Sequence, residues 1–246
     1  MVCGECREAC PLADTIAGEG PLPPRNAGCL ECAACVDACP TGARQIVGRM
    51  MSVEEVLREA LEDRVFYEDS GGGITVSGGE PLAQPLFLRA LLEACRGAAL
   101  HTTLDTTGFG RVEHLLAAAR LSDLVLYDLK AFDADRHRRF TGVSNQRILG
   151  NLEALDREHG NVWIRLPIVP GFNDDPDDLR RLAAFVRGLR CVTRVSLLPF
   201  HRTGLHKFAR LGLTHGLDGV ETPSAAVMAS VQTVFEDVGL PTQIGG

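Results

Sequence analysis

Cysteines are the residues of this 246-residue sequence whose spacing most clearly indicates chemistry, and seven of the nine lie within the first 39 positions. The stretch CLECAACVDACP, residues 29–40, has the spacing C-x2-C-x2-C-x3-C followed by proline. The opening stretch, residues 1–11, repeats the end of that pattern with three cysteines and a proline. In a reducing cytoplasm, cysteines at this density indicate metal binding rather than disulfide bonds.

The paired spacing predicts an iron–sulfur module with two clusters. It is the bacterial ferredoxin pattern, in which three cysteines of one run hold a [4Fe–4S] cluster and the fourth reaches the other cluster. One cluster is therefore expected to be fully ligated, by Cys10, Cys29, Cys32 and Cys35. The other is expected to have three ligands in this chain, namely Cys3, Cys6 and Cys39. Paired structural zinc sites are the alternative, but zinc seldom uses three cysteines at two-residue gaps before Cys-Pro.

The composition is that of an ordinary globular protein, with 45% hydrophobic and 23% charged residues. The formal net charge of −7 argues against nucleic acid as a main partner, because phosphate binding needs a basic surface. No apolar run is long enough to cross a membrane, and we expect a cytoplasmic protein.

From Ser52 onward, predicted helices alternate with short apolar strands. The first helix starts with a capping box formed by Ser52 and Glu55. Five strands are predicted, at GITVSG and at residues 101–106, 124–130, 161–168 and 194–200. The intervening and final helices are predicted at residues 84–96, 111–120, 144–158, 175–189 and 224–238. This alternation predicts an α/β fold with a parallel, curved or closed sheet at residues 49–246, preceded by the iron–sulfur module at residues 1–48.

Polar and ionisable residues lie at or near the C-terminal ends of these strands, which is where barrel-like folds place their active sites. They are Gly78, Gly79, Glu80, Asp105, Asp128, Lys130, Arg165 and His201. Their chemistry indicates a zwitterionic ligand. Glu80 is expected to accept hydrogen bonds from an ammonium group, and Asp105 and Asp128 to share a cation that holds a carboxylate.

Two further residues complete this predicted ligand site. Arg165 is expected to pair with a carboxylate or ribose oxygen, and His201 to contact a ribose or a base. No pair of nucleophile and base of hydrolytic type is present, and SGGGITVSGGEP lacks the Gly-Lys-Ser/Thr of a phosphate loop.

The sequence resembles the glycyl-radical-enzyme activating enzymes of the radical S-adenosylmethionine superfamily. The resemblance covers essentially the whole chain. It is carried by SVEEVLREALEDRVFYEDSGGGITVSGGEPLAQPLF, TTLDTTGFG, YDLKAFD, HRRFTGVSNQRILGNLEAL, VWIRLPIVPGFNDD and LLPFHRTGLHKFARLG. It implies a partial (β/α)6 barrel of the TIM type that binds S-adenosylmethionine across its mouth. A reduced [4Fe–4S] cluster cleaves the sulfonium, and the resulting 5′-deoxyadenosyl radical takes a hydrogen atom from a glycine of a partner enzyme.

The resemblance also implies roles and partners. Gly78, Gly79 and Glu80 correspond to the segment that meets the amino group of S-adenosylmethionine, and Asp105 and Asp128 to a pair on the side of the carboxylate and a monovalent cation. Lys130, Arg165 and His201 correspond to the remaining cofactor and substrate contacts. The partners would be a glycyl radical enzyme and, as electron donor, flavodoxin or ferredoxin.

One departure from the family is large, because the C-x3-C-x2-C spacing that holds the catalytic cluster occurs nowhere in the sequence. We therefore expect a chain that is short at its N-terminus and lacks the first barrel strand. A third, catalytic cluster is expected in the full-length form, and this chain is expected not to cleave S-adenosylmethionine. Two alternatives remain open: the cluster of Cys3, Cys6 and Cys39 has become catalytic, or the protein is a non-catalytic electron-transfer protein on a barrel scaffold.

Overall fold

The structure is a computed structural model that describes residues 3–16, 22, 28–46, 48–202, 216–217 and 219–245. These residues divide into two units at Met51–Ser52, and Arg202 and residues 216–217 also belong to the first unit. The return of the chain to the first unit after residue 201 was not indicated by the sequence.

The first unit contains two short helices that pack against each other, α1 (Glu5–Glu8) and α2 (Ala34–Asp37). Each begins after a residue with left-handed backbone, Gly4 with φ 85° and Ala33 with φ 64°. The chain therefore changes direction sharply where each helix begins, directly after a cysteine-containing loop.

The second unit contains a six-stranded parallel sheet whose strands follow chain order. The strands are β1 (Ile74–Val76), β2 (Thr102–Thr106), β3 (Leu124–Asp128), β4 (Val162–Ile168), β5 (Val192–Pro199) and β6 (Thr242–Ile244). The helices are α3 (Val53–Glu62), α4 (Arg64–Ser70), α5 (Pro85–Gly97), α6 (Val112–Ala119), α7 (Ala134–Thr141), α8 (Gln146–Leu155), α9 (Pro176–Arg187) and α10 (Ala225–Glu236). The predicted α/β class and parallel sheet are confirmed.

Three differences from the predicted elements have physical reasons. The first predicted helix is divided at Asp63 into α3 and α4, although its capping box forms as expected. Helix α7 was missed because its sequence, ADRHRRFT, is almost entirely polar. Strand β6 was missed because it has three residues and no apolar run.

The two faces of the sheet differ in polarity, as β4 illustrates. Val162, Ile164, Leu166 and Ile168 are fully buried and belong to the core that the helices share. The alternate residues of β4, among them Trp163 and Arg165, are only partly buried and lie on the opposite face. The face away from the helices is therefore the one that can present polar groups to a ligand.

None of the helices in the described part of the chain is both long enough and apolar enough to span a bilayer.

Buried asparagine side chains hold the loops at the C-terminal end of the sheet. Asn173 is 1% exposed; its Oδ1 accepts from the Val169 amide, and its Nδ2 donates to the carbonyl oxygens of Lys130 and Pro167. Asn145 Nδ2 donates in the same way to the carbonyl oxygens of Ala131 and Phe132, in the loop after β3. The backbone N–H and C=O groups of these loops have no regular backbone hydrogen-bond partners, and the asparagine amides take the place of such partners.

Replacing Asn173 by alanine is expected to lower the free energy of unfolding by about 2–4 kcal/mol, because one buried and two partly buried backbone groups lose their partner. Urea unfolding of the variant measures this. Replacing the exposed Gln146 by alanine should change the value by less than about 0.5 kcal/mol. A loss below about 1 kcal/mol for Asn173→Ala would contradict the role assigned to this side chain.

Candidate functional site

A small cavity of about 120 Å³ lies at the C-terminal ends of β1 to β4. It is lined by Ser77, Gly78, Gly79, Glu80, Asp105, Thr106, Thr107, Asp128 and Arg165. Six of the eight residues predicted to bind a ligand are among them. The parallel strands thus bring together residues that are up to 88 positions apart in sequence, from Ser77 to Arg165.

The guanidinium group of Arg165 connects three adjacent strands. Its Nε donates to Asp128 Oδ1 at 3.0 Å, and one terminal nitrogen, Nη1, donates to Asp105 Oδ2 at 3.1 Å. Asp128 and Arg165 are direct register partners on β3 and β4. In the structure, the cation that Asp105 and Asp128 share is therefore this guanidinium.

The Glu80 carboxylate fixes the loop after β2. Oε1 accepts from the Leu82 amide and the Thr106 hydroxyl, and Oε2 accepts from the amide and the hydroxyl of Thr107. A carboxylate has about four acceptor positions, so these four donors fill them. Glu80 therefore acts here as an anchor of the loop, and its bond to an ammonium group stays a prediction.

Two polar atoms in the cavity, one on Asp105 and one on Arg165, have no hydrogen-bond partner among the described residues. Asp105 Oδ2 also accepts from Ser77, whereas Oδ1 has no hydrogen-bond partner among the described residues. The Nη2 nitrogen of Arg165 likewise has none within the described ranges. One acceptor and one donor in the lining of the same cavity are thus available for a ligand that carries both an ammonium and a carboxylate.

Lys130 and His201 do not line this cavity. The Lys130 ammonium lies 3.5 Å from Asp128 Oδ2 and adds a second positive charge at its edge. His201 is exposed and lies two residues beyond the end of β5. Counting Lys130, three carboxylates and two basic side chains give the site a formal charge of −1.

Sequence reasoning did not select three residues of the cavity, Ser77, Thr106 and Thr107, as site residues. Threonine is common in strands, so a threonine beside Asp105 reads as an ordinary strand residue. The signal that could have identified two of them is the doublet Thr106-Thr107 directly before a glycine, because both hydroxyls donate hydrogen bonds to the Glu80 carboxylate.

Gly108 lies two residues beyond the end of β2, at a position where no other residue fits. Its φ is +68°, and a Cβ atom at this position would overlap the hydroxyl of Tyr127. That hydroxyl donates to the Ile148 carbonyl at 2.7 Å, and burial raises the pKa of Tyr127. Asn151 completes the arrangement by donating to the carbonyl oxygens of Gly108 and Gly110.

The first unit has a separate cavity of about 430 Å³ that four cysteines line. They are Cys10, Cys29, Cys32 and Cys35. These are the four residues predicted to complete one [4Fe–4S] cluster, and they come from both cysteine runs. Because each iron of the cube takes one thiolate, ligands distributed around a cavity fit this group better than ligands that converge on one point.

The other three cysteines of the runs do not line that cavity. Cys3 is exposed, Cys6 is buried and Cys39 is half-buried. Hydrogen bonds from the Arg44 backbone and the Thr41 hydroxyl lower the pKa of the Cys39 thiol to about 7, which favours its thiolate form near neutral pH. Among the described residues, no three histidine, cysteine or acidic side chains converge on a position for a single metal ion.

Comparison with known proteins decides the family. Residues 29–183 match the model of the Radical SAM superfamily. The trans-4-hydroxy-L-proline dehydratase activating enzyme of Clostridioides difficile is 36% identical, over 89% of this chain and 82% of that enzyme. The isethionate sulfite-lyase activating enzyme of Nitratidesulfovibrio vulgaris is 40% identical, over 94% of this chain and 74% of that enzyme.

The chain belongs to the radical SAM superfamily. Within it, the relatives are glycyl-radical-enzyme activating enzymes, and the resemblance inferred from the sequence is confirmed. A solved structure agrees: a domain of the pyruvate-formate lyase-activating enzyme from Bacteroides vulgatus is 33% identical, with a TM-score of 0.61. The match covers 71% of this chain and 99% of that domain.

Membership of this radical SAM family implies a [4Fe–4S] cluster and S-adenosylmethionine as cofactors. The six-stranded parallel sheet agrees with the partial barrel expected of the family.

Replacing Gly108 by alanine is expected to lower the free energy of unfolding by about 2–4 kcal/mol, because the substitution combines a left-handed backbone with overlap on the buried Tyr127. Thermal and urea unfolding measure the change. Gly150, inside α8, has open space at its Cβ position, so Gly150→Ala should instead stabilise by about 0.5–1 kcal/mol. Equal effects of the two substitutions would show that Gly108 has no special conformational role.

Proposed function

We propose that this chain binds the methionine end of S-adenosylmethionine in the cavity at the ends of β1 to β4, and that it supplies the cofactor and partner binding of a glycyl-radical-enzyme activating enzyme. The observation that carries the proposal is the shared lining of one cavity by Gly78, Gly79, Asp105, Asp128 and Arg165. A [4Fe–4S] cluster, when bound, would supply the electron for reductive cleavage of S-adenosylmethionine, the chemistry by which a hydrogen atom is removed from the partner's glycine.

The charges of the cavity suit this ligand. S-adenosylmethionine carries a sulfonium, an ammonium and a carboxylate, so it is a zwitterion with one additional positive charge. Asp105 Oδ1 is available to accept from the ammonium group, and Arg165 Nη2 is available to donate to the carboxylate. The formal charge of −1 at the site offsets the sulfonium.

Glycines make the close approach of such a ligand possible. Gly78 has a φ of 136°, and neither Gly78 nor Gly79 would have an atom within 4 Å of an added Cβ. The space beside this backbone is therefore open to a ligand rather than filled by protein.

The cysteine module has the role of an electron relay in this proposal. Cys10, Cys29, Cys32 and Cys35 would hold one [4Fe–4S] cluster, and Cys3, Cys6 and Cys39 would hold a second with one iron open. A low-potential carrier, flavodoxin or ferredoxin, would donate the electrons. A monovalent cation beside Asp105 or Asp128 remains part of the proposal.

Replacing Asp105 by asparagine should weaken S-adenosylmethionine binding about tenfold or more, because a hydrogen bond to a charged group contributes about 1.5–3 kcal/mol. Isothermal titration calorimetry of the anaerobically reconstituted chain measures the dissociation constant. The control is Glu93→Gln, which removes the same charge from the exposed side of α5. The proposal fails if the wild-type chain does not bind at millimolar ligand, or if both variants bind like the wild type.

The 246-residue chain by itself is expected to bind S-adenosylmethionine without cleaving it, because its sequence contains no C-x3-C-x2-C spacing to hold the catalytic cluster. The measurement is 5′-deoxyadenosine formed in the presence of dithionite, determined by chromatography. Product that disappears in Cys39→Ala, but persists in the control Cys95→Ala, would instead assign cleavage to the cluster of Cys3, Cys6 and Cys39.

A further inference from the structure

We propose that four exposed side chains beside the cavity form the docking surface for an acidic face of the glycyl radical enzyme. The surface, called here the mouth platform, consists of Phe109, Arg139, Phe140 and Arg147. This inference rests on the proposed function, because it identifies how the protein substrate of that same site is recognised.

The mouth platform lies at the same end of the sheet as the cavity. Phe109 is two residues beyond Thr107, whose amide and hydroxyl bond Glu80, and its own amide donates to the Thr107 hydroxyl. Phe140 lies in α7, which follows β3, and Arg147 lies in the first turn of α8. A partner that brings a glycine to the cavity therefore approaches the end of the sheet at which these side chains lie.

Each phenylalanine of the platform is paired with a guanidinium group. Arg147 lies 5.3 Å from the ring centroid of Phe109, and Arg139 lies 5.6 Å from that of Phe140. The rings remain 39% and 38% exposed, which leaves them available for contact. Neither Arg139 nor Arg147 forms an ion pair with an acidic side chain within the part of the chain that the structure describes. Exposed aromatic rings with arginines are the composition of binding hot spots.

The aromatic rings are also held in place before any partner binds. Asn151, one helical turn after Arg147, donates to the carbonyl oxygens on both sides of Phe109, those of Gly108 and Gly110, at 2.7 and 3.0 Å. The Phe140 ring packs against Phe172, with 4.3 Å between centroids. Ordering these side chains on association would therefore cost little, which is how preorganised surfaces gain affinity.

Charge indicates the kind of partner. Residues 130–147 contain five basic side chains, but Lys130, Arg136 and Arg138 are paired with Asp128, Asp175 and Asp135. Arg139 and Arg147 therefore carry the uncompensated positive charge of this segment, in a chain whose net charge is −7. Two such arginines favour an acidic face on the partner. The glycyl radical enzyme fits this position because its glycine has to reach the adjacent cavity, whereas an electron donor serves the cysteines of the other unit.

The test measures binding of the anaerobically reconstituted full chain to four immobilised enzymes, using biolayer interferometry. The probes are trans-4-hydroxy-L-proline dehydratase, isethionate sulfite-lyase, choline trimethylamine-lyase and pyruvate formate-lyase, the enzymes that the relatives' names give as activated. Flavodoxin is immobilised in parallel. Calorimetry with S-adenosylmethionine is run on every variant.

Arg147→Glu should raise the dissociation constant of the best-binding probe about tenfold or more, and should reduce its dependence on salt. The matched control is Arg157→Glu, the same charge reversal just beyond the other end of α8, about 15 Å away along the helix axis. It should change that constant less than about twofold. Affinity for S-adenosylmethionine should be unchanged in both variants, and Phe140→Ala should weaken only the binding of the probe.

Several outcomes would overturn the inference. Equal effects of Arg147→Glu and Arg157→Glu on the best probe would mean that only net charge matters. A loss of flavodoxin binding without a loss of lyase binding would assign the platform to the electron donor. If the wild-type chain binds S-adenosylmethionine but none of the four enzymes, the mouth platform is not a docking surface for a glycyl radical enzyme. The proposed cofactor site would not be affected by that result. Failure to bind S-adenosylmethionine would instead contradict the proposed function itself.

Discussion

The ion-pair bridge from Arg165 to Asp105 and Asp128 is the interaction on which the site depends. Two carboxylates on neighbouring strands would repel each other at the edge of so small a cavity, and the guanidinium between them removes that repulsion. All three side chains are largely but not fully buried, so the pairing orders them without the full desolvation cost of the protein interior. Since each carboxylate uses only part of its hydrogen-bonding capacity, the same bridge leaves groups for a ligand.

The surrounding structure gives this bridge a fixed geometry. Parallel register sets Asp128 opposite Arg165, and the buried aliphatic residues on the other face of β4 keep the strand in place. Loops beyond the strands are held by asparagine amides and by the Glu80 carboxylate rather than by backbone ladders. Polar groups at the ends of the strands can therefore remain in position without a ligand, as a preorganised site requires.

Much of the fold and of the site could be predicted because strong local sequence patterns indicate both. Strands β1 to β5 were identified, including the three-residue β1, and the polar residues that follow them were therefore correctly grouped at one end of the sheet. The cysteine spacing likewise grouped Cys10 with three residues far along the chain, all of which line one cavity. Elements with weak patterns, the charged α7 and the three-residue β6, were not found. The hydrogen-bond partners of the site residues could not be predicted from the sequence either. Strand register and tertiary packing determine that Arg165 bonds both aspartates and that threonines bond Glu80.

Trp163 offers the most direct measurement of the central claim, that S-adenosylmethionine binds at the Arg165 bridge. It is the single tryptophan of the sequence and lies two residues before Arg165 on the same face of β4. Titration with S-adenosylmethionine should change its fluorescence saturably in the wild-type chain, and Asp128→Asn should shift the midpoint about tenfold higher. An emission spectrum that does not respond to millimolar ligand, or a midpoint that Asp128→Asn leaves unchanged, would contradict the account.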